Sequence, residues 1–172
     1  MKYNMMKILG TLVLVLALML TIIPDVKAES YTASSSCADL VASFEPCTLT
    51  AKKDPAGVWC IGYNHTKDVT ANSRLADEAE ALELLKQDLD RIAGYVNKFI
   101  SNGTIRFEMN QNRFDALVAF AFNCGSGNLE KLVKGNTAET VAVKILGYNR
   151  GGGKVLPTLT ARRQAERDLF IK

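Results

Sequence analysis

The sequence has a single histidine and four cysteines in 172 residues, and no two cysteines stand close enough to form a metal-binding pair. A zinc site, which draws on clustered His and Cys ligands, is therefore not expected. Charge of one sign is scarce as well: 21 basic against 18 acidic residues leave a formal +3. Without a basic surplus there is no global field to gather nucleic acid, and no nucleic-acid partner is expected. Glycines 151–153 lack the Lys and Ser spacing of a phosphate-binding loop and follow no strand-like run, so they read as a surface turn. The longest apolar stripe falls short of three heptads, which argues against a coiled-coil dimer and for a monomer. No cofactor is implied.

What the chain does have begins at its N-terminus. Lys2 and Lys7 precede an apolar run over residues 8–23, and Val26 and Ala28 are small residues at the positions a signal peptidase reads. Cleavage after Ala28 is expected, leaving residues 29–172 as one domain of 144 residues, enough for a sizeable core. The sixteen-residue run falls short of the roughly 20 that span a bilayer, so a membrane-tethered form is the weaker reading. The removed segment holds three Lys and one Asp, and the mature formal charge falls to +1. The product is expected to be secreted, to the extracellular space or to a lytic vacuole or periplasm-like oxidising compartment, with no stable membrane insertion after cleavage.

Cys37, Cys47, Cys60 and Cys124 all lie in the mature part. An even count behind an export signal predicts two disulfides. If residues 37–45 form one helix they span about 12 Å, which puts Cys47 beyond the limit of about 7 Å between Cα atoms for a bond with Cys37. Cys37 is then left with Cys60 or with Cys124, and in both schemes Cys60 is bonded.

The periodicity is mostly helical. A first helix over residues 37–44, with Ser34, Ser35 or Ser36 as N-cap, buries Leu40, Val41 and Phe44 and delivers Glu45 at its end, where Pro46 stops it. A hairpin region runs to about residue 69. Leu82, Leu85, Leu89, Ile92, Val96 and Phe99 then form one apolar stripe on a helix over residues 76–100, with Gly94 as a weak point. Asn110 caps a helix over residues 111–122, shorter helices cover 129–134 and 138–146, and a last one covers 159–171. On that reading Arg162 and Arg163 fall in the first turn of the last helix, where positive charge opposes the helix dipole, so another partner is implied.

The chemistry concentrates in residues 45–65, EPCTLTAKKDPAGVWCIGYNH. Glu45 at a helix end and Asp54 on a hairpin, nine residues on, set two carboxyls across a cleft. Such a pair is the minimum for cleaving a glycosidic bond: one acid protonates the leaving oxygen while the other activates water or stabilises the oxocarbenium-like transition state. Asp54 before Pro55 also has a plain role as a turn cap. His65 reads as a hydrogen-bonded structural residue rather than a base or ligand. Trp59 and Ile61 share one side of their strand by alternation and read as core.

The pattern of Glu45, eight residues, Asp54, five residues and a third motif position at residue 60, followed by Ile61-Gly62-Tyr63-Asn64-His65, resembles the phage-type lysozymes of glycoside hydrolase family 24. NQNRFDALVAFAFNCGSG at 110–127 and ARRQAERDLF at 161–170 resemble that family's later signature segments, in order and spacing. Four positions depart from the pattern: Cys60 for Thr, Pro46 for Gly, Lys52 for Tyr and Asn64 for Gly. The resemblance implies an α+β, mostly helical, two-lobed fold, with a hairpin lobe over about residues 37–75, a connecting helix over 76–100 and a helical lobe over 101–172. It implies a muramidase that hydrolyses peptidoglycan by an inverting route, in the sense that water attacks opposite the leaving group. Glu45 would be the general acid, Asp54 the second carboxylate, Cys60 the third motif position and Arg162 the support of Glu45. Burial favours a protonated acid, whereas an adjacent arginine favours the ionised form. A thiol or disulfide sulfur handles water less well than a hydroxyl, so a weakened or inactive wall- or glycan-binding member of the same fold is the alternative.

Overall fold

A computed structural model describes residues 30–54 and 56–172. The expected signal segment lies outside the described residues. The elements, in order, are α1 (Ser35–Ala42), β1 (Thr48–Lys53), β2 (Trp59–Gly62), α2 (Glu78–Ser101), α3 (Gln111–Cys124), α4 (Ser126–Val133), α5 (Ala138–Lys144) with a 3-10 turn at Ile145–Gly147, β3 (Arg150–Gly151), β4 (Lys154–Val155) and α6 (Pro157–Phe170). The architecture is mostly helical with two small antiparallel sheets, as expected for the fold class. No described helix is long and apolar enough to cross a membrane.

The core is built on α3. Asn110 Oδ1 accepts from the Arg113 N–H at 2.9 Å and caps the helix as predicted. Phe114 through Ala121 are all buried, because α1, α2, α4 and α6 surround this helix. Gly125, at φ +79°, closes it.

The long helix α2 is capped reciprocally: Asp77 Oδ1 accepts from Glu80 N–H at 2.9 Å, and Glu80 Oε2 accepts from Ala76 N–H at 2.7 Å. The predicted stripe is buried at Leu85, Leu89, Ile92, Val96 and Phe99, with Leu82 half-buried. Gly94 makes no break. Its cost of about 1 kcal/mol is small beside the roughly 1.5–3 kcal/mol gained per buried aliphatic or aromatic side chain.

Strands β1 and β2 pair antiparallel, Lys52 opposite Cys60 and Lys53 opposite Trp59, with an irregularity between Thr48 and Lys52. Residues 73–75 run along the other edge of β1, where Ala51 N–H donates to Ser73 O and Leu75 N–H to Leu49 O. The sheet lies on α2 so closely that a Cβ at Gly62 would come within 3.3 Å of the Ala81 Cβ. Gly62 also sits at φ +60°, so glycine is required twice over.

Four expectations need correction. First, α1 ends at Ala42, so Glu45 lies three residues beyond the helix rather than at its last turn. The residue before a proline is disfavoured in the helical region, and the chain turns out at Ser43 and Phe44 before reaching it. Ser34 does take the N-cap position, but its hydroxyl bonds Asp115 Oδ2 instead of a helix N–H. Second, α6 starts at Pro157, a favoured first-turn residue. Arg162 and Arg163 therefore lie in the second turn and do not confront the helix terminus.

Third, all four cysteines are unbonded. Cys37 Sγ donates to Asp115 O at 3.4 Å between α1 and α3, Cys124 Sγ accepts from Arg163 Nη1 at 2.7 Å, and Cys60 sits in β2. Each thiol has its own neighbours, and neither the Cys37–Cys60 nor the Cys37–Cys124 bond is formed. Burial pushes the Cys37 thiol up, which keeps it neutral. Fourth, Trp59 is only half-buried, while Cys60 and Ile61 are both buried. The Trp59 ring instead carries the Lys53 ammonium, 5.3 Å from its centroid.

Candidate functional site

Glu45 leaves the chain between α1 and β1 and turns toward α6. Its Oε1 accepts from Arg162 Nη1 at 2.5 Å, and the two side chains are 14% and 5% exposed. Such an enclosed, charge-assisted bond fixes the carboxyl far more firmly than a surface pair would. The guanidinium also lies 5.8 Å from the Phe44 ring centroid and 6.0 Å from that of Phe122. One arginine on the last helix thus joins the first loop to the core.

Asp54 performs the turn role that its sequence context suggests. Its N–H donates to Val58 O at 2.9 Å, its carbonyl accepts from Gly57 N–H at 2.9 Å, and its Oδ1 accepts from Val58 N–H at 2.8 Å. These bonds lock the tip of the hairpin and hold the half-exposed carboxylate in one place. Lys52 and Asp54 share a strand face by the period of two, and Lys52 pairs with Cys60 on β2.

Glu45, Asp54 and Cys60 consequently line one open cleft of about 280 Å³, together with Thr48, Lys52, Gly62 and Asn64. Arg162 reaches Glu45 from the side of the helical core. All four residues singled out in the sequence are therefore within one small region of the fold. A second cavity of about 350 Å³, lined by Asn64, Thr66, Arg91, Tyr95, Phe122 and Ser126 among others, meets the cleft at Asn64. Asn64 itself adopts φ +69°, a conformation asparagine tolerates better than other side chains, which explains how it stands where the motif has glycine.

His65 is outside the cleft. Its backbone pairs with Ile61 through two hydrogen bonds of 2.8 and 2.9 Å, and its Nδ1 lies 2.8 Å from Asp88 Oδ2 on α2. Asp88 Oδ1 also accepts from Arg91 Nη2 at 2.9 Å. This arrangement ties the end of the hairpin to the long helix. No group of three or more His, Cys, Asp and Glu side chains suited to a metal occurs among the described residues.

The structure adds Glu166, which the sequence did not single out, and makes it the partner implied for Arg163. Glu166, fully buried, accepts from Arg162 Nε at 3.2 Å and from Arg163 Nη2 at 2.6 Å on the same oxygen. Arg163, equally buried, also donates to Asn123 Oδ1 at 3.1 Å and to the Cys124 thiol. Burial pushes the Glu166 carboxyl up, against the pull of Arg163 and Arg162. The signal was present: Glu166 follows Arg162 by four positions and Arg163 by three, the spacings that bring helix side chains together.

The chain is similar in sequence and fold to several known proteins. The Phage lysozyme family model matches residues 42–166. An endolysin of Bacillus phage B103 is 31% identical over 140 residues, covering 77% of this chain and 51% of the phage protein. The chain thus spans about half the length of that endolysin. Among solved structures, the muramidase domain of SpmX from Asticaccaulis excentricus is 30% identical with a TM-score of 0.71, covering 83% of this chain and 99% of that domain. A P22 lysozyme variant is 28% identical with a TM-score of 0.66, at 83% and 99% coverage. With the family model matching well over half of its residues, the chain belongs to the phage lysozyme family.

Proposed function

We propose that this protein is a lysozyme that hydrolyses the β-1,4 bond between N-acetylmuramic acid and N-acetylglucosamine in bacterial peptidoglycan, with inversion at the anomeric carbon. The observation that carries the reading is the shared cleft: Glu45 and Asp54 line the same open space, and Arg162 holds the first of them in place. The adjoining cavity at Asn64 supplies room for further sugars of the chain.

In this scheme protonated Glu45 gives its proton to the glycosidic oxygen as the C1–O bond breaks. Asp54 orients a water on the opposite face of the sugar and takes up its proton as the new C1–O bond forms. Inverting glycosidases leave room for that water with carboxyls roughly 6.5–9.5 Å apart. Cys60 occupies the third motif position, where its thiol donates more weakly to the water than a hydroxyl would. Asp54 is well suited to its part because one oxygen is already committed to the turn, so its orientation is set before substrate arrives.

The site of action proposed is the bacterial wall, reached after export directed by residues 1–28, and the active unit proposed is a monomer. Turbidity clearing of bacterial walls by wild type and Glu45→Gln tests the activity. Clearing that the substitution abolishes supports the hydrolase, whereas wall binding without turnover in both proteins rules it out. N-terminal sequencing of the secreted protein tests the export step: a start at Glu29 supports it and a start at Met1 refutes it.

A further inference from the structure

We propose that Glu166, braced by Arg163, is a positioning residue for the reaction: it sets the orientation of Arg162 and through it that of Glu45. The inference rests on the reading of Glu45 as the proton donor. The contacts form a row of alternating charge, Glu45, Arg162, Glu166 and Arg163, with successive distances of 2.5, 3.2 and 2.6 Å. Arg162 is gripped at both edges of its planar fork, Nη1 by Glu45 and Nε by Glu166. A fork held at two edges has one orientation, whereas a fork held at one edge can swing about its stem.

A purely structural role explains this row poorly. Buried ion pairs are weak evidence for stability, since well-packed apolar residues of similar volume often do as well or better. Here the network even leaves Arg162 Nη2, Arg163 Nε and Glu166 Oε2 buried with no hydrogen-bond partner among the described residues. What the row does achieve is a fixed reach from the α3–α6 contact, where Arg163 is tied to Asn123, Cys124 and the Tyr148 carbonyl, to the cleft edge at Glu45. Glu166 also divides the positive charge of Arg162 between two carboxyls. The guanidinium then orients Glu45 without belonging to it alone, which suits a group that must hold a proton at one point of the cycle and release it at another.

The test compares Glu166→Gln, Arg162→Gln and the double variant for wall clearing, with wild type and Glu45→Gln alongside. The amide keeps the shape of the side chain and removes its charge. Glu166→Gln is expected to lower the maximal clearing rate about 10- to 100-fold, the scale of a misplaced catalytic group, with the half-saturating wall concentration unchanged. In the Arg162→Gln background the same change is expected to have less than about a twofold effect, because Glu166 acts through Arg162. Independent, multiplying effects overturn the inference, and so does a loss confined to the half-saturating concentration. Should Glu166→Gln not fold, Arg163→Lys, which releases one side of Glu166, is read by the same two criteria. Wild-type clearing that Glu45→Gln abolishes and Glu166→Gln leaves intact overturns the inference while the hydrolase reading stands. Walls left uncleared by wild type overturn both.

Discussion

Arg162 and Glu45 are 117 positions apart in the chain and 2.5 Å apart in space. Helix α3 is the common support, since α6 and α1 both pack on it and the loop at Glu45 meets the last helix beside it. Removing the arginine strands the carboxyl of Glu45 and leaves the fully buried Glu166 with Arg163 alone. Arg162→Ala is expected to cost about 3–5 kcal/mol, the usual penalty for breaking a buried pair by deleting one partner. A urea titration would show it as a lower midpoint at unchanged slope; an unchanged midpoint would contradict the burial of the pair.

Cys60 stands in the cleft as a free thiol, not as half of a disulfide. Cys60→Thr puts a stronger donor and acceptor at the same place, on a strand that favours β-branched residues. Faster wall clearing is the expected result, at a stability cost of about 1–3 kcal/mol for fitting the extra methyl at a buried position. Failure of the variant to fold would mean instead that the sulfur is needed for packing or bonding.

His65 and Asp88 fasten the hairpin to the long helix. Asp88→Ala leaves both His65 Nδ1 and Arg91 Nη2 without their acceptor, and a cost of about 1–3 kcal/mol follows for stranding a half-buried polar group. Thermal denaturation of Asp88→Ala and Asp88→Asn checks this, with the amide expected to recover part of the loss because one acceptor oxygen remains.

Tyr63 donates its hydroxyl to Glu78 Oε1 at 2.6 Å. The bond to Glu78 and the burial of the ring push the phenol up from its ordinary 10 to about 12. A raised value means that the folded state retains a proton the unfolded chain has already lost. The stability this bond contributes is therefore whole below pH 10 and is lost as pH rises toward about 12. Tyr63→Phe should flatten the fall of stability over that interval, and a parallel pair of curves would show that the bond has no such linkage.

The sequence made the helices legible because each announces itself locally. Asn110 caps α3, Asp77 begins α2 with acidic residues behind it, and the stripe from Leu85 to Phe99 runs one face of α2 at helical spacing. Helix ends shift where two local signals compete. Pro46 suggested a helix reaching Glu45, yet the restriction a proline places on its predecessor stopped the helix earlier. At the other end of the chain, Pro157 began a helix that hydrophobic periodicity alone placed two residues later.

The candidate site divides in the same way. By itself the sequence determined the two carboxyls and their separation along the chain, the Cys at the third motif position, and the turn that holds Asp54, since Asp, Pro and Gly specify that turn through bonds between near neighbours. Only the tertiary structure decided that the four cysteines stay unbonded and that Arg163 and Glu166 stand behind Arg162. Those outcomes depend on which residues, distant in sequence, share a buried volume. Helix spacing shows which side chains lie on one face, but the neighbours that desolvate and pair them are chosen by how the helices pack.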